Sequence, residues 1–125
     1  MNTNEPKNVF INLSNHPSSG WSEEQSAAAG AHGEIVDMAF PVVAPDATHE
    51  QVKVLAEQCV TEILAQSSGG VTTVHVMGEM TLTYRIVRLL KRRGIRCVAS
   101  TTERRVTEVD GKKLSEFRFV QFREY

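Results

Sequence analysis

The chain has 125 residues, 41% of them hydrophobic and 23% charged, with 14 Lys and Arg against 15 Asp and Glu for a formal net charge of -1. That length suits one domain with a real core. The near-neutral balance excludes a protein that holds duplex nucleic acid through a general basic excess. No run is long and apolar enough to span a bilayer, and the first eight residues lack an apolar signal segment, so a cytoplasmic protein without a membrane partner is expected. Cys59 and Cys97 stand far apart with no CxxC or Cys/His cluster, which predicts reduced thiols, no metal site and no cofactor.

Residues 1–7 read as a disordered polar tail and residues 8–125 as a single domain. Asn8 to Leu13 is a first strand. Ser22-Glu23-Glu24-Gln25 is a capping box for a short helix ending near Gly30 to Gly33. Glu34 to Phe40 is a second strand, stopped by Pro41 and Pro45. Thr48-His49-Glu50-Gln51 is a second capping box, and Val52, Leu55, Ala56, Cys59, Ile63 and Leu64 behind it follow helical spacing to about Gln66. Ser67 to Gly70 is the exit loop. Thr72 to Met77 is a third strand, and Leu82, Ile86, Leu89 and Leu90 form the buried stripe of a helix stopped by Gly94. Ile95 to Ser100 is a fourth strand. Arg105 to Val109, the turn Asp110-Gly111 and Leu114 to Phe122 form a β-hairpin.

Strand–helix alternation followed by a hairpin predicts an α/β fold: a three-layer, Rossmann-like, mainly parallel sheet of order 2-1-3-4 with a C-terminal antiparallel hairpin. Its switch point falls between strands one and three, where open α/β sheets place ligands.

Three polar strand ends then converge on one edge. The first, Asn12 to Trp21, offers Asn12, Ser14, Asn15, Ser18 and Ser19 as hydrogen-bonding groups and His16 for proton transfer. Such residues are also what ordinary loops are made of. Trp21 suits either a base stack or a hydrophobic staple beside the helix start. The second, Met77-Gly78-Glu79-Met80-Thr81, runs from a strand through Gly78 into a helix N-terminus, offering Gly78, Met80 and Thr81 to a ligand. It lacks a P-loop lysine. Glu79 repels a phosphate there and suits a sugar hydroxyl, a base edge or a proton, unless it serves only to complement the helix dipole. The third, Ser100, Thr101 and Thr102 followed by Arg104 and Arg105, can hold a phosphodiester, the two arginines pointing to opposite faces. A charged edge strand would look the same. His75, inside a buried strand pattern, reads as a hydrogen-bonded core histidine rather than a ligand, and Lys91 to Arg93 as basic residues ending a helix.

This plan, from Asn8 to about Phe122, resembles the small stand-alone CARF-like proteins (CRISPR-associated Rossmann fold) of type III CRISPR loci. The resemblance rests on the Ser/His-containing first turn, the strand–Gly–helix unit, the strand ending in Ser, Thr and Arg, and the hairpin. It implies binding of a cyclic oligoadenylate second messenger by a homodimer. It also implies ring-nuclease activity without a metal, the ribose 2′-hydroxyl attacking the adjacent phosphodiester. On that resemblance His16 and Glu79 transfer protons, Arg104 or Arg105 stabilises phosphoryl charge, and Ser14, Ser18 and Thr101 position the backbone. A non-catalytic module for the same messenger and a small nucleoside-handling enzyme are the alternatives.

Overall fold

The computed structural model describes residues 5–125. The elements run β1 (Lys7–Ser14), a 3-10 turn (Ser18–Gly20), α1 (Glu23–Gly30), β2 (Glu34–Ala39), α2 (His49–Gln66), β3 (Gly69–Met77), α3 (Met80–Arg92), β4 (Arg96–Val109) and β5 (Lys112–Glu124). Of the expected N-terminal tail, residues 1–4 lie outside the described residues, and Lys7 already belongs to β1. The five strands form one sheet of order β2-β1-β3-β4-β5. β1 pairs in parallel with β2 and β3, β3 pairs in parallel with β4, and β4 with β5 is antiparallel. This is the predicted α/β sheet, with its switch point between β1 and β3.

Two boundaries depart from expectation. β3 begins at Gly69, inside the expected loop, because Gly69 pairs with Lys7 of β1. β4 does not end at Ser100. It continues to Val109 because β5 pairs with it from Val98 outward, so Ser100 to Arg105 is a strand segment rather than a strand-end turn. β3 reaches only Arg96 to Val98 of β4, and beyond that point the hairpin projects as a two-stranded ribbon. Its turn has positive φ at both Asp110 (53°) and Gly111 (75°), the backbone an Asp-Gly hairpin requires.

Local chemistry explains the helices. The Thr48 hydroxyl accepts from the Gln51 N–H while the Gln51 side chain accepts from the Thr48 N–H, a complete capping box on α2. At α1 only half of the expected box is made, Ser22 Oγ accepting from the Gln25 N–H. α2 and α3 bury Ala56, Cys59, Ile63, Leu82, Ile86 and Leu90 against Ile11, Leu13, Val74, Val76 and Cys97 of the sheet. Each fully buried aliphatic side chain there contributes about 1.5–3 kcal/mol. Both cysteines are buried and free, as expected.

The opposite sheet face has a smaller core of Phe10, Ala29 and Val98, flanked by Trp21, Ile35 and Phe122. Among the described residues, the one helix over it is the eight-residue α1. Strand alternation sends Asn12 and Ser14, His75 and Met77, and Ser100 and Thr102 to this thinly covered face. The fold thus segregates one mainly apolar face from one that mixes aromatic and hydrogen-bonding groups.

Candidate functional site

A cavity of about 480 Å³ opens over the carboxyl ends of β1, β3 and the middle of β4, lined by Asn15, His16, Gly20, Trp21, Gln25, His75, Met77, Gly78, Ser100 and Thr102. Such a crevice lies where parallel α/β sheets bind ligands. The lining residues include no carboxylate, lysine or arginine; its chemistry is that of two imidazoles, two amides, two hydroxyls and an indole. Gly78 brings β3 into α3 beneath Phe40, and a Cβ at Gly78 would fall 2.5 Å from that ring. The close approach accounts for the glycine.

Behind the wall lies a connected polar network. Asn12, buried, donates through Nδ2 to the His16 carbonyl and to Asp37 Oδ1, each at 2.9 Å. Its Oδ1 faces Ser14 Oγ and His75 Nδ1, each at 2.8 Å. His75 Nε2 lies 3.2 Å from Ser100 Oγ. Asp37 also accepts from the Ser18 hydroxyl at 2.8 Å and the Ser18 N–H at 3.1 Å, which ties the turn after β1 to β2. Burial alone would raise the Asp37 carboxyl, but the hydrogen bonds from Asn12 and Ser18 outweigh it and hold its pKa below the ordinary value. Burial, helped by the neighbouring His16, pushes His75 from 6.5 down to about 4, so its imidazole is neutral at pH 7. Trp21 stands edge-on to His75 at 5.7 Å and to Phe10 at 6.3 Å, packing at its base while its ring lines the crevice.

The residues expected from sequence divide clearly. Asn15, His16, Gly78, Ser100 and Thr102 reach the crevice, and Asn12, Ser14 and Ser18 hold it together from behind. Ser19 sits exposed in the 3-10 turn, outside the crevice lining. Thr101 points to the other face of β4, its hydroxyl exchanging hydrogen bonds with the Gln121 backbone at the bulge. Met80 and Thr81 line a separate cavity with Ala47, His49, Val52, Tyr84 and Arg85. Arg104 shares the face of Ser100 and Thr102 by alternation but stands further along the ribbon, donating to Ser115 Oγ at 3.0 Å; Arg105 faces the other way. Three lining residues that count for chemistry or contact were not expected there, His75, Gln25 and Met77, while Trp21, expected either as a base stack or as a staple, lines the wall. Asp37 was not expected as their support. The signal for His75 and Asn12 was present, since each is a polar residue in an otherwise apolar stretch of a central strand.

Glu79 does not turn into the crevice. Its carboxylate caps α3, accepting from the Thr81 N–H and the Leu82 N–H at 2.9 Å each and from the Thr81 hydroxyl at 2.6 Å. The Thr81 hydroxyl and the two backbone donors hold its pKa below the ordinary carboxylate value. The dipole-complementing role is therefore the one it fills. Glu79→Ala should cost about 1 kcal/mol of stability and leave ligand affinity at the crevice within twofold. Urea denaturation beside a binding titration checks both, and a tenfold loss of affinity would return Glu79 to the site.

A family match covers residues 8–123, nearly the whole domain with every element of the crevice. The chain belongs to the uncharacterized protein MJ1673 family. Neither a curated protein nor a solved structure matches it. Among the described residues, no helix is long and apolar enough to cross a membrane, and no three His, Cys, Asp or Glu side chains cluster as metal ligands would.

Proposed function

We propose that the crevice binds adenylate units of a cyclic oligoadenylate and that the protein degrades the ring by attack of a ribose 2′-hydroxyl on the adjacent phosphodiester. The observation that carries this reading is the meeting of an indole, two amides, two imidazoles and two hydroxyls in one crevice at the switch point of the sheet. Trp21 offers a face or edge for an adenine. Asn15 and Gln25 present the side-chain amide that pairs with the N6 and N7 edge of that base. Two histidines in one wall supply the acceptor and donor that 2′-hydroxyl attack needs, and neither step calls for a metal. The resemblance to CARF-like proteins supports the same substrate.

A ring of several adenylates exceeds a cavity of about 480 Å³, so each subunit would take part of it and a two-fold homodimer would enclose the whole. The ribbon beyond Thr102 is the surface for that second copy. An isolated two-stranded ribbon is marginal in water, yet this one exposes Val106, Leu114 and Phe117, the last 71% accessible. It is also continuous with the crevice through Thr102, Phe117 and Phe119, which line a neighbouring hollow with Trp21 and Gln25. Arg104 on the same face would meet the phosphates the crevice itself leaves without a cation.

The decisive experiment incubates the protein with cyclic tetra-adenylate and cyclic hexa-adenylate in EDTA and separates the products by chromatography. Linear products ending in a 2′,3′-cyclic phosphate are expected, from a protein that sediments as a dimer. Tight binding with an intact ring would reduce the protein to a binding module. Binding of adenosine or AMP but of neither ring would make it a nucleoside-handling protein.

A further inference from the structure

We infer that His75 is the proton acceptor of this site, with Nε2 turned toward the crevice and its tautomer fixed by Asn12 and Asp37. The inference rests on the functional reading above and deepens it, since sequence placed His75 in the core and gave it no chemistry.

The Asn12 amide carries two hydrogens, and both are committed, one to the His16 carbonyl and one to the Asp37 carboxylate. Neither partner can donate, so the amide cannot flip without setting its oxygen against a carboxylate and a carbonyl. Asn12 Oδ1 is therefore fixed as an acceptor facing His75 Nδ1 at 2.8 Å. In a neutral imidazole that nitrogen must then carry the hydrogen, and Nε2 carries the free lone pair. Among the described residues, the one hydrogen-bond partner of Nε2 is the Ser100 hydroxyl at 3.2 Å. That hydroxyl has a second acceptor, the Met77 sulfur at 3.0 Å. Rotation of one O–H from nitrogen to sulfur releases the Nε2 lone pair from that hydrogen bond without moving the backbone.

The step balances. The ribose 2′ O–H bond breaks and its proton goes to His75 Nε2, while the 2′ oxygen forms a bond to phosphorus. The bond from phosphorus to the 5′ oxygen breaks, and that oxygen takes a proton from the imidazolium form of His16. The products carry a 2′,3′-cyclic phosphate and a 5′ hydroxyl, and exchange with water returns His75 to neutral and His16 to imidazolium. While His75 is positively charged, its Nδ1–H points through the Asn12 amide toward the Asp37 carboxylate, which stabilises the imidazolium without accepting the proton. Asn12 and Asp37 are thus positioning residues, and Ser100 is a placeholder on Nε2 rather than a nucleophile.

Two measurements test this. Long-range nitrogen–proton correlation spectra of the ligand-free protein at pH 7 should show His75 protonated at Nδ1, and Asp37→Asn should scramble that preference. A dominant Nε2–H form in the native protein would overturn the inference whatever the substrate. With cyclic tetra-adenylate, His75→Gln should slow cleavage at least a hundredfold with Kd unchanged, within the range for a lost general base. Asp37→Asn should lower kcat more than it alters KM, and Ser100→Ala should slow cleavage much less than His75→Gln does. Loss of cleavage in Ser100→Ala equal to that in His75→Gln would make Ser100 the nucleophile and overturn the assignment. Equal cleavage by native protein and a folded His75→Gln would overturn the inference alone. A native protein that binds no cyclic oligonucleotide would overturn the functional reading and the inference with it.

Discussion

Replacing Phe10 by alanine should remove about 3–5 kcal/mol of folding stability and open the floor of the crevice. Phe10 is fully buried in the smaller of the two cores, where Ala29 and Val98 are its buried aliphatic partners. Around its ring stand Phe122 at 4.9 Å, His32 at 5.8 Å, and Trp21 and His75 at 6.3 Å each. Few aliphatic side chains border the hole that would be left, so it cannot close by repacking. The cost should therefore lie toward the upper part of the range. α1 is short and offers little besides Ala29 to this core, so it and Trp21 should loosen before the α2 and α3 side does. Because Trp21 is the single tryptophan, its fluorescence during urea denaturation reports on this half of the molecule. Val42→Ala, at a side chain 94% exposed, is the matched control and should change stability by less than about 0.5 kcal/mol. A Phe10→Ala protein within 1 kcal/mol of the native one would show that the thin face does not depend on this ring.

The same two-faced sheet explains what could and could not be read from sequence. Strand and helix identity was legible because it is written locally. Apolar spacing in α2 and α3, the Thr48 capping box and the Asp110-Gly111 turn each involve residues a few positions apart. The order β2-β1-β3-β4 followed from handedness and alternation. Register is different, since it joins residues that are remote in the chain. Asn12 lies opposite Asp37 on one side and His75 on the other, and neither pairing leaves a trace in local pattern. So the polar network, which depends on that row of three, was invisible, although its members stood out individually as polar residues in apolar strands. The Ser100–Arg105 segment misled for the reverse reason. Hydroxyls and arginines suggest a turn, but an antiparallel partner with both ribbon faces in water accepts them equally well. Glu79 was legible only as a choice between chemistry and capping, and three short hydrogen bonds to its own helix decide for capping.

Acidification from pH 7 to pH 4 should cost the protein about 3 kcal/mol through His75 alone, and His75→Gln should abolish most of that slope. In the unfolded chain this imidazole takes up a proton near 6.5, whereas in the folded chain burial and the neighbouring His16 delay uptake to about 4. Between those values the unfolded state binds more protons than the folded one, so stability falls as pH falls and levels off below about 4. The other groups around His75 do not imitate the effect. Phe10, Trp21 and Phe122 carry no charge, and Asn12 stands between His75 and Asp37. The Asp37 carboxyl has a lowered pKa, so its contribution is present above 3.8 and is lost only below the His75 window. Urea titrations at half-unit steps from pH 7 to pH 4 would show the slope, and a flat profile in the native protein would mean that His75 accepts a proton in place. A ligand phosphate beside Nε2 favours the imidazolium that burial opposes. The slope should therefore shrink in saturating cyclic tetra-adenylate, because the charge that destabilises the empty crevice is the charge the reaction must form there.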